Sequence, residues 1–129
     1  MKSKLSFIPL ALLCTLLLTG FTKAVAQDVE VKIALPYSGN FNNWTITFHT
    51  WERSYVFETD DDTFDSGILG TVPTGTYDVS FDSNYFSWEG FDFGIHTPGF
   101  SDWRVMHWSF TWYSVYVEPE TLITIDAGY

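Results

Sequence analysis

The chain predicts an all-β protein: a small antiparallel β-sandwich of about seven strands, preceded by a removable leader. Three observations predict it. Short apolar runs alternate with a period of two and are separated by turn residues. Helical periodicity of useful length is absent. Aromatic residues make up 19% of the 129 residues, and such side chains bury large areas in a small core.

The leader comes first. Lys2 and Lys4 form a basic start, and Leu5 to Leu18 is almost wholly apolar. Ala24-Val25-Ala26 then places small residues at −3 and −1 of a cut before Gln27. This is the pattern of a secretory signal peptide over residues 1–26. The apolar core of 14 residues is shorter than the roughly 20 a membrane-spanning helix needs. Leu13 before Cys14 does not fit a lipoprotein signal. The expectation is therefore a secreted or periplasmic domain at 27–129 with no membrane span after cleavage.

Cleavage changes the arithmetic. Lys2, Lys4 and Lys23 leave, and Lys32, Arg53 and Arg104 remain against sixteen acids, so the charge moves from −10 to −13. That balance excludes a nucleic-acid partner, which needs a basic footprint. The lone Cys14 leaves too. A mature domain without disulfides must be held by its core.

The elements follow in order. Val29, Val31, Ile33 and Leu35 share one face of a first strand, ended by turn chemistry at Pro36-Tyr37-Ser38-Gly39-Asn40. Trp44, Ile46 and Phe48 share one face of a second, within Trp44 to Trp51. A third begins at Tyr55 and is broken by Asp60-Asp61-Asp62, because clustered like charges repel and Asp disfavours strands. Ile68-Leu69 leads through Val72-Pro73-Thr74-Gly75-Thr76 to a strand with Tyr77, Val79 and Phe81 inward. Phe91, Phe93 and Ile95 alternate, as do Met106, Trp108, Phe110 and Trp112. Tyr113, Val115 and Val117 then alternate on the opposite phase, which predicts a bulge or break near Trp112–Ser114. Glu118-Pro119-Glu120 is a turn before a last strand with Thr121, Ile123 and Ile125 inward.

The segment Thr71-Val72-Pro73-Thr74-Gly75-Thr76-Tyr77-Asp78-Val79-Ser80-Phe81 resembles the "vPaGtYdVtf" stretch of carboxypeptidase regulatory-like domains, which are transthyretin-like (prealbumin-like) β-sandwiches of secreted Bacteroidetes proteins. The ending Tyr116 to Asp126 is similar to that family's last hairpin, with Glu120 where the family usually has Gly. The resemblance implies a transthyretin-like sandwich and an accessory, non-catalytic role. It names no ligand residue.

Three kinds of site are open to this chain. His49, His96 and His107 share no strand face with another metal-ligating residue, and no Gly-x-Ser-x-Gly elbow is present, so no enzyme is expected. Asp60, Asp61, Asp62 and Asp65 form the best metal candidate, a cluster of oxygens of the kind Ca²⁺ takes. It does not fit an EF-hand, since Ser66 stands where Gly is required, and a solvated acidic turn explains it as well. Otherwise no cofactor is expected. The third is the stretch from Phe81 to Tyr116, with 13 aromatics in 36 residues. Some must line the core. Tyr85, Trp88, Asp102, Trp103 and Trp108 are the candidates for a working surface. Such a surface would anchor another envelope or extracellular protein or a second copy of the chain, or stack on a glycan. The expected function is a non-enzymatic interaction or assembly module at the cell envelope, with glycan binding as the alternative.

Overall fold

A computed structural model describes residues 26–34, 44–84 and 90–126. The leader, the turn at 36–40, Tyr85 and Trp88 lie outside the described residues. Nine strands and one short helix are described: β1 Asp28–Ala34, β2 Trp44–His49, β3 Ser54–Glu58, α1 Asp61–Ser66, β4 Ile68–Pro73, β5 Gly75–Ser83, β6 Phe91–Thr97, β7 Phe100–Met106, β8 Ser109–Val117 and β9 Leu122–Asp126. They form two sheets. The first has five strands in the order β4-β1-β9-β6-β7, and the second has four in the order β3-β2-β5-β8. The protein is an all-β sandwich.

Two details differ from the sequence expectation. There are nine strands rather than about seven, because β3 with β4 and β6 with β7 are separate short strands. The first sheet is mixed: β1 runs parallel to β9 and antiparallel to β4. Strands β1 and β9 are far apart in sequence, so no hairpin forces them antiparallel.

The alternating residues fill the space between the sheets. Val29, Val31 and Ile33 of β1, Phe93 and Ile95 of β6, and Ile123 and Ile125 of β9 are buried. They face Trp44, Ile46 and Phe48 of β2, and Tyr77, Val79 and Phe81 of β5. Thr121 is buried as well; its hydroxyl donates to Glu118 O at 2.7 Å and so closes the last turn. The rings meet edge to face, Trp44 on Phe91 at 4.6 Å and Phe81 on Trp112 at 4.8 Å between centroids. That arrangement adds to the area they bury.

The long sides of a sandwich are open unless side chains bridge them. On one side the Phe57 ring covers Gly70, where a Cβ would lie 2.2 Å from the ring. On the other, Trp112 Nε1 of β8 donates to Asp102 of β7 at 3.0 Å.

The acidic run is not a plain turn. Asp60 caps α1: its Oδ1 accepts the Thr63 N–H at 2.8 Å, and Thr63 Oγ1 accepts the Asp60 N–H at 3.3 Å. This reciprocal pair is a capping box. Asp61 and Asp62 occupy the first turn, where the helix dipole favours negative charge. Gly67 ends the helix at φ 69°, a conformation glycine adopts freely.

The predicted slip in β8 is present. Tyr77 pairs with Val115 but Val79 pairs with Trp112, so Tyr113 and Ser114 bulge opposite Asp78. Ser114 has φ 55°, and its N–H donates to Asp78 Oδ1 at 2.9 Å. The run Met106, Trp108, Phe110, Trp112 is not one strand. A turn at 107–108 carries the chain from β7 in the first sheet to β8 in the second.

Candidate functional site

Strand β7 pairs with β6 in unbroken register from Phe91 opposite Met106 to Thr97 opposite Phe100. Met106 is buried, and side chains two apart share a face. Arg104 and Asp102 therefore sit on the side of the second sheet, and Val105, Trp103 and Ser101 on the outer face. Trp103 is 62% and Val105 56% exposed. Phe100, at the start of the strand, is exposed too.

Asp102 and Trp103 are neighbours in sequence with opposite surroundings. Asp102 Oδ2 accepts from Trp112 Nε1 at 3.0 Å and from Arg104 Nε at 2.9 Å. The Trp112 indole, with the Arg104 guanidinium behind it, holds the Asp102 carboxyl below the usual carboxylate range. Arg104 also lies 5.9 Å from the centroid of the Phe110 ring. The pair ties β7 to β8 and leaves the outer row of β7 without charge.

Beside that row lies a groove of about 300 Å³, lined by Asp92, Phe93, Gly94, His96, Trp103 and Thr124. Register explains it. Gly94 sits between Trp103 on β7 and Thr124 on β9. A Cβ at Gly94 would lie 2.3 Å from Thr124 Oγ1 and 2.7 Å from His96 Nε2, so only glycine leaves the floor open. The His96 ring is fixed from both ends, Nδ1 by Ser101 Oγ at 2.6 Å and Nε2 by Thr124 Oγ1 at 3.2 Å. The groove thus offers an indole wall, a carboxylate and a hydroxyl, with the imidazole already held at both nitrogens.

Trp108 is 61% exposed in the β7–β8 turn, and its carbonyl accepts the Ser83 N–H at 2.9 Å. Of the five candidate surface residues, the structure places Trp103 and Trp108 at the surface and Asp102 between the sheets. Sequence reasoning missed Val105, Phe100, Gly94, His96 and Thr124. The parity of Val105 and Trp103 against Met106 puts the two on one face but does not say that this face meets solvent.

The four aspartates of the metal candidate do not converge. Thr63 engages Asp60 and holds its carboxyl below the ordinary range. Among the described residues, no three His, Asp or Glu side chains gather in a way that could hold a metal ion. Also among the described residues, no helix is long and apolar enough to cross a membrane. Comparison of this chain with family models, with curated proteins and with solved structures finds no match.

Proposed function

We propose that the chain is a non-enzymatic interaction module of the cell envelope, secreted or periplasmic, that joins another protein through the outer face and free edge of β7. The observation that carries this is the character of that edge. Among the described residues β7 pairs as a strand with β6 alone, and its outer row is Trp103 and Val105, both more than half exposed. Proteins blunt such edges with shortness, Pro, charged side chains, inward-pointing charges or bulges. The other three edges follow that rule: β3 has five residues, β4 ends in Pro73, and β8 bulges at Ser114. Strand β7 has seven residues, no Pro and no bulge in its register with β6, and its charges, Asp102 and Arg104, pair with each other on the inner side, so the outer row stays apolar. A long edge with an apolar outer row suits addition of a strand from another chain, with main-chain bonds giving affinity and alternate side chains giving specificity. The resemblance of residues 71–81 to regulatory-like sandwiches agrees with an accessory role.

Native-size measurement on envelope extracts tests this. The chain should migrate in an assembly larger than its monomer, and Val105→Lys should release the monomer without lowering its thermal midpoint. A wild-type chain that migrates as a monomer contradicts the proposal.

The groove at Gly94 supports a second reading, a glycan stacked on Trp103 with its hydroxyls on Asp92 and Thr124. Glycan-array binding lost in Trp103→Ala and kept in Val105→Lys would favour it over the first.

A further inference from the structure

A second surface lies on the outer face of the other sheet, at the tip of the β2–β3 hairpin. Trp51 is 93% exposed there. A ring that exposed contributes little to the core. Yet the backbone that carries it is fixed. Thr50 N–H donates to Arg53 O at 2.8 Å, and Thr50 Oγ1 donates to the same oxygen at 3.1 Å. The same hydroxyl accepts the N–H groups of Glu52 at 3.3 Å and Arg53 at 3.1 Å. The turn that presents Trp51 is therefore locked by its own hydrogen bonds, which lowers the entropy a ligand must overcome.

Beside Trp51 is a cleft of about 390 Å³ lined by His49, Thr50, Trp51, Thr76, Tyr77, Asp78 and Ser114. Its size falls in the ordinary range of small-ligand sites, roughly 300–1,000 Å³. Its polar groups come from three strands. His49 and Asp78 are directly opposite in the β2–β5 register. The His49 ring is oriented by Ser54 Oγ, 2.9 Å from Nδ1, which leaves Nε2 for a ligand. Asp78 Oδ1 is taken by the Ser114 N–H, which leaves Oδ2. Ser114 is held at φ 55° by the bulge. A non-glycine residue in that region is strained, and such strain gathers at binding sites.

We infer that this cleft is a binding site for a neutral pyranosyl glycan. An indole offers a flat apolar surface for the C–H face of a sugar ring. A carboxylate and an imidazole offer hydrogen-bond partners to adjacent hydroxyls, and Thr76 and Ser114 are hydroxyls that both donate and accept. The charge selects among sugars. Asp78 lines the cleft and the chain carries −10, so uronic and sulfated glycans are repelled. The inference is independent of the β7 proposal, since the two surfaces share no residue.

The test is calorimetric titration of the full chain with neutral gluco-, manno-, galacto- and N-acetylglucosamine oligosaccharides, with polygalacturonate as the anionic comparison. At least one neutral series should bind and polygalacturonate should not. Trp51→Ala should weaken binding about ten-fold or more, the loss of one hot-spot side chain, while Trp51→Phe keeps part of it. Asp78→Asn should weaken binding with an unchanged thermal midpoint, because the amide oxygen still accepts the Ser114 N–H. Trp103→Ala and Val105→Lys should leave binding as it is. Absence of binding by every neutral series at millimolar concentration overturns the inference. So does binding that survives Trp51→Ala, or that is lost in Trp103→Ala instead.

Discussion

Asp102 and Trp103 show how one step along a strand decides a residue's role. Asp102 turns to the second sheet and becomes a tie between sheets, while Trp103 turns outward and becomes a surface ring. Sequence alternation made the two-face split legible, but not which face met solvent. That depended on Met106, two sheets and a turn. The tie has a pH signature. A carboxyl held below its unfolded value of about 3.9 contributes stability that is present above that value and lost as pH falls through the folded pKa. Thermal midpoints measured from pH 6 down to pH 2 should fall less steeply in Asp102→Asn than in the wild-type chain. Equal slopes would mean the Trp112 bond does not lower the carboxyl. Tyr77 makes a similar tie. Its hydroxyl donates to Pro73 O, four residues back, and its ring is buried. Tyr77→Phe should cost about 1 kcal/mol in urea unfolding, the net worth of one hydrogen bond plus the unpaired carbonyl it leaves.

At the scale of elements, strands were the legible part. The inward sets of β1, β2, β5, β6 and β9 follow from period two, and the bulge in β8 follows from a change of phase. Helix α1 was not foreseen. Three successive Asp read as a strand breaker, which they are, but Asp60 with Thr63 three residues on and Gly67 at the end also spell a helix start and stop. Six residues are too few for a hydrophobic period to register. The cap is testable: Asp60→Ala should lower the midpoint of chemical denaturation, as loss of an N-cap does. The helix exposes its acids, so their function in the fold needs no ion. The β8 bulge makes the opposite prediction. Ser114→Gly relieves a positive φ and should raise the thermal midpoint slightly, as differential scanning calorimetry would detect.

For the whole molecule, the sandwich was legible in the spacing of turns, and the order of strands was not. Pairing of β1 with β9 is long-range, and no local pattern encodes it. The closures of the two open sides were likewise invisible in sequence, because Gly70 meets Phe57 and Asp102 meets Trp112 only in three dimensions. Gly70→Val would drive a branched side chain into the Phe57 ring and should destabilise the domain by about 1–3 kcal/mol, the range for overpacking. The aromatic excess divides accordingly. Trp44, Phe48, Phe81, Phe93 and Trp112 replace the missing disulfides as core, while Trp51, Trp103 and Trp108 do not pack inward. In the proposed function the outward row of β7 meets another protein. Site-specific photo-crosslinking in native cells tests it most directly, with the photoreactive residue at Val105 and, as a control, at Thr71 on the outer face of β4. An adduct of defined mass is expected from position 105 and none from position 71, with twice the chain's mass marking a second copy. Equal labelling at both positions, or no adduct from position 105 in a normally folded and expressed chain, would contradict it.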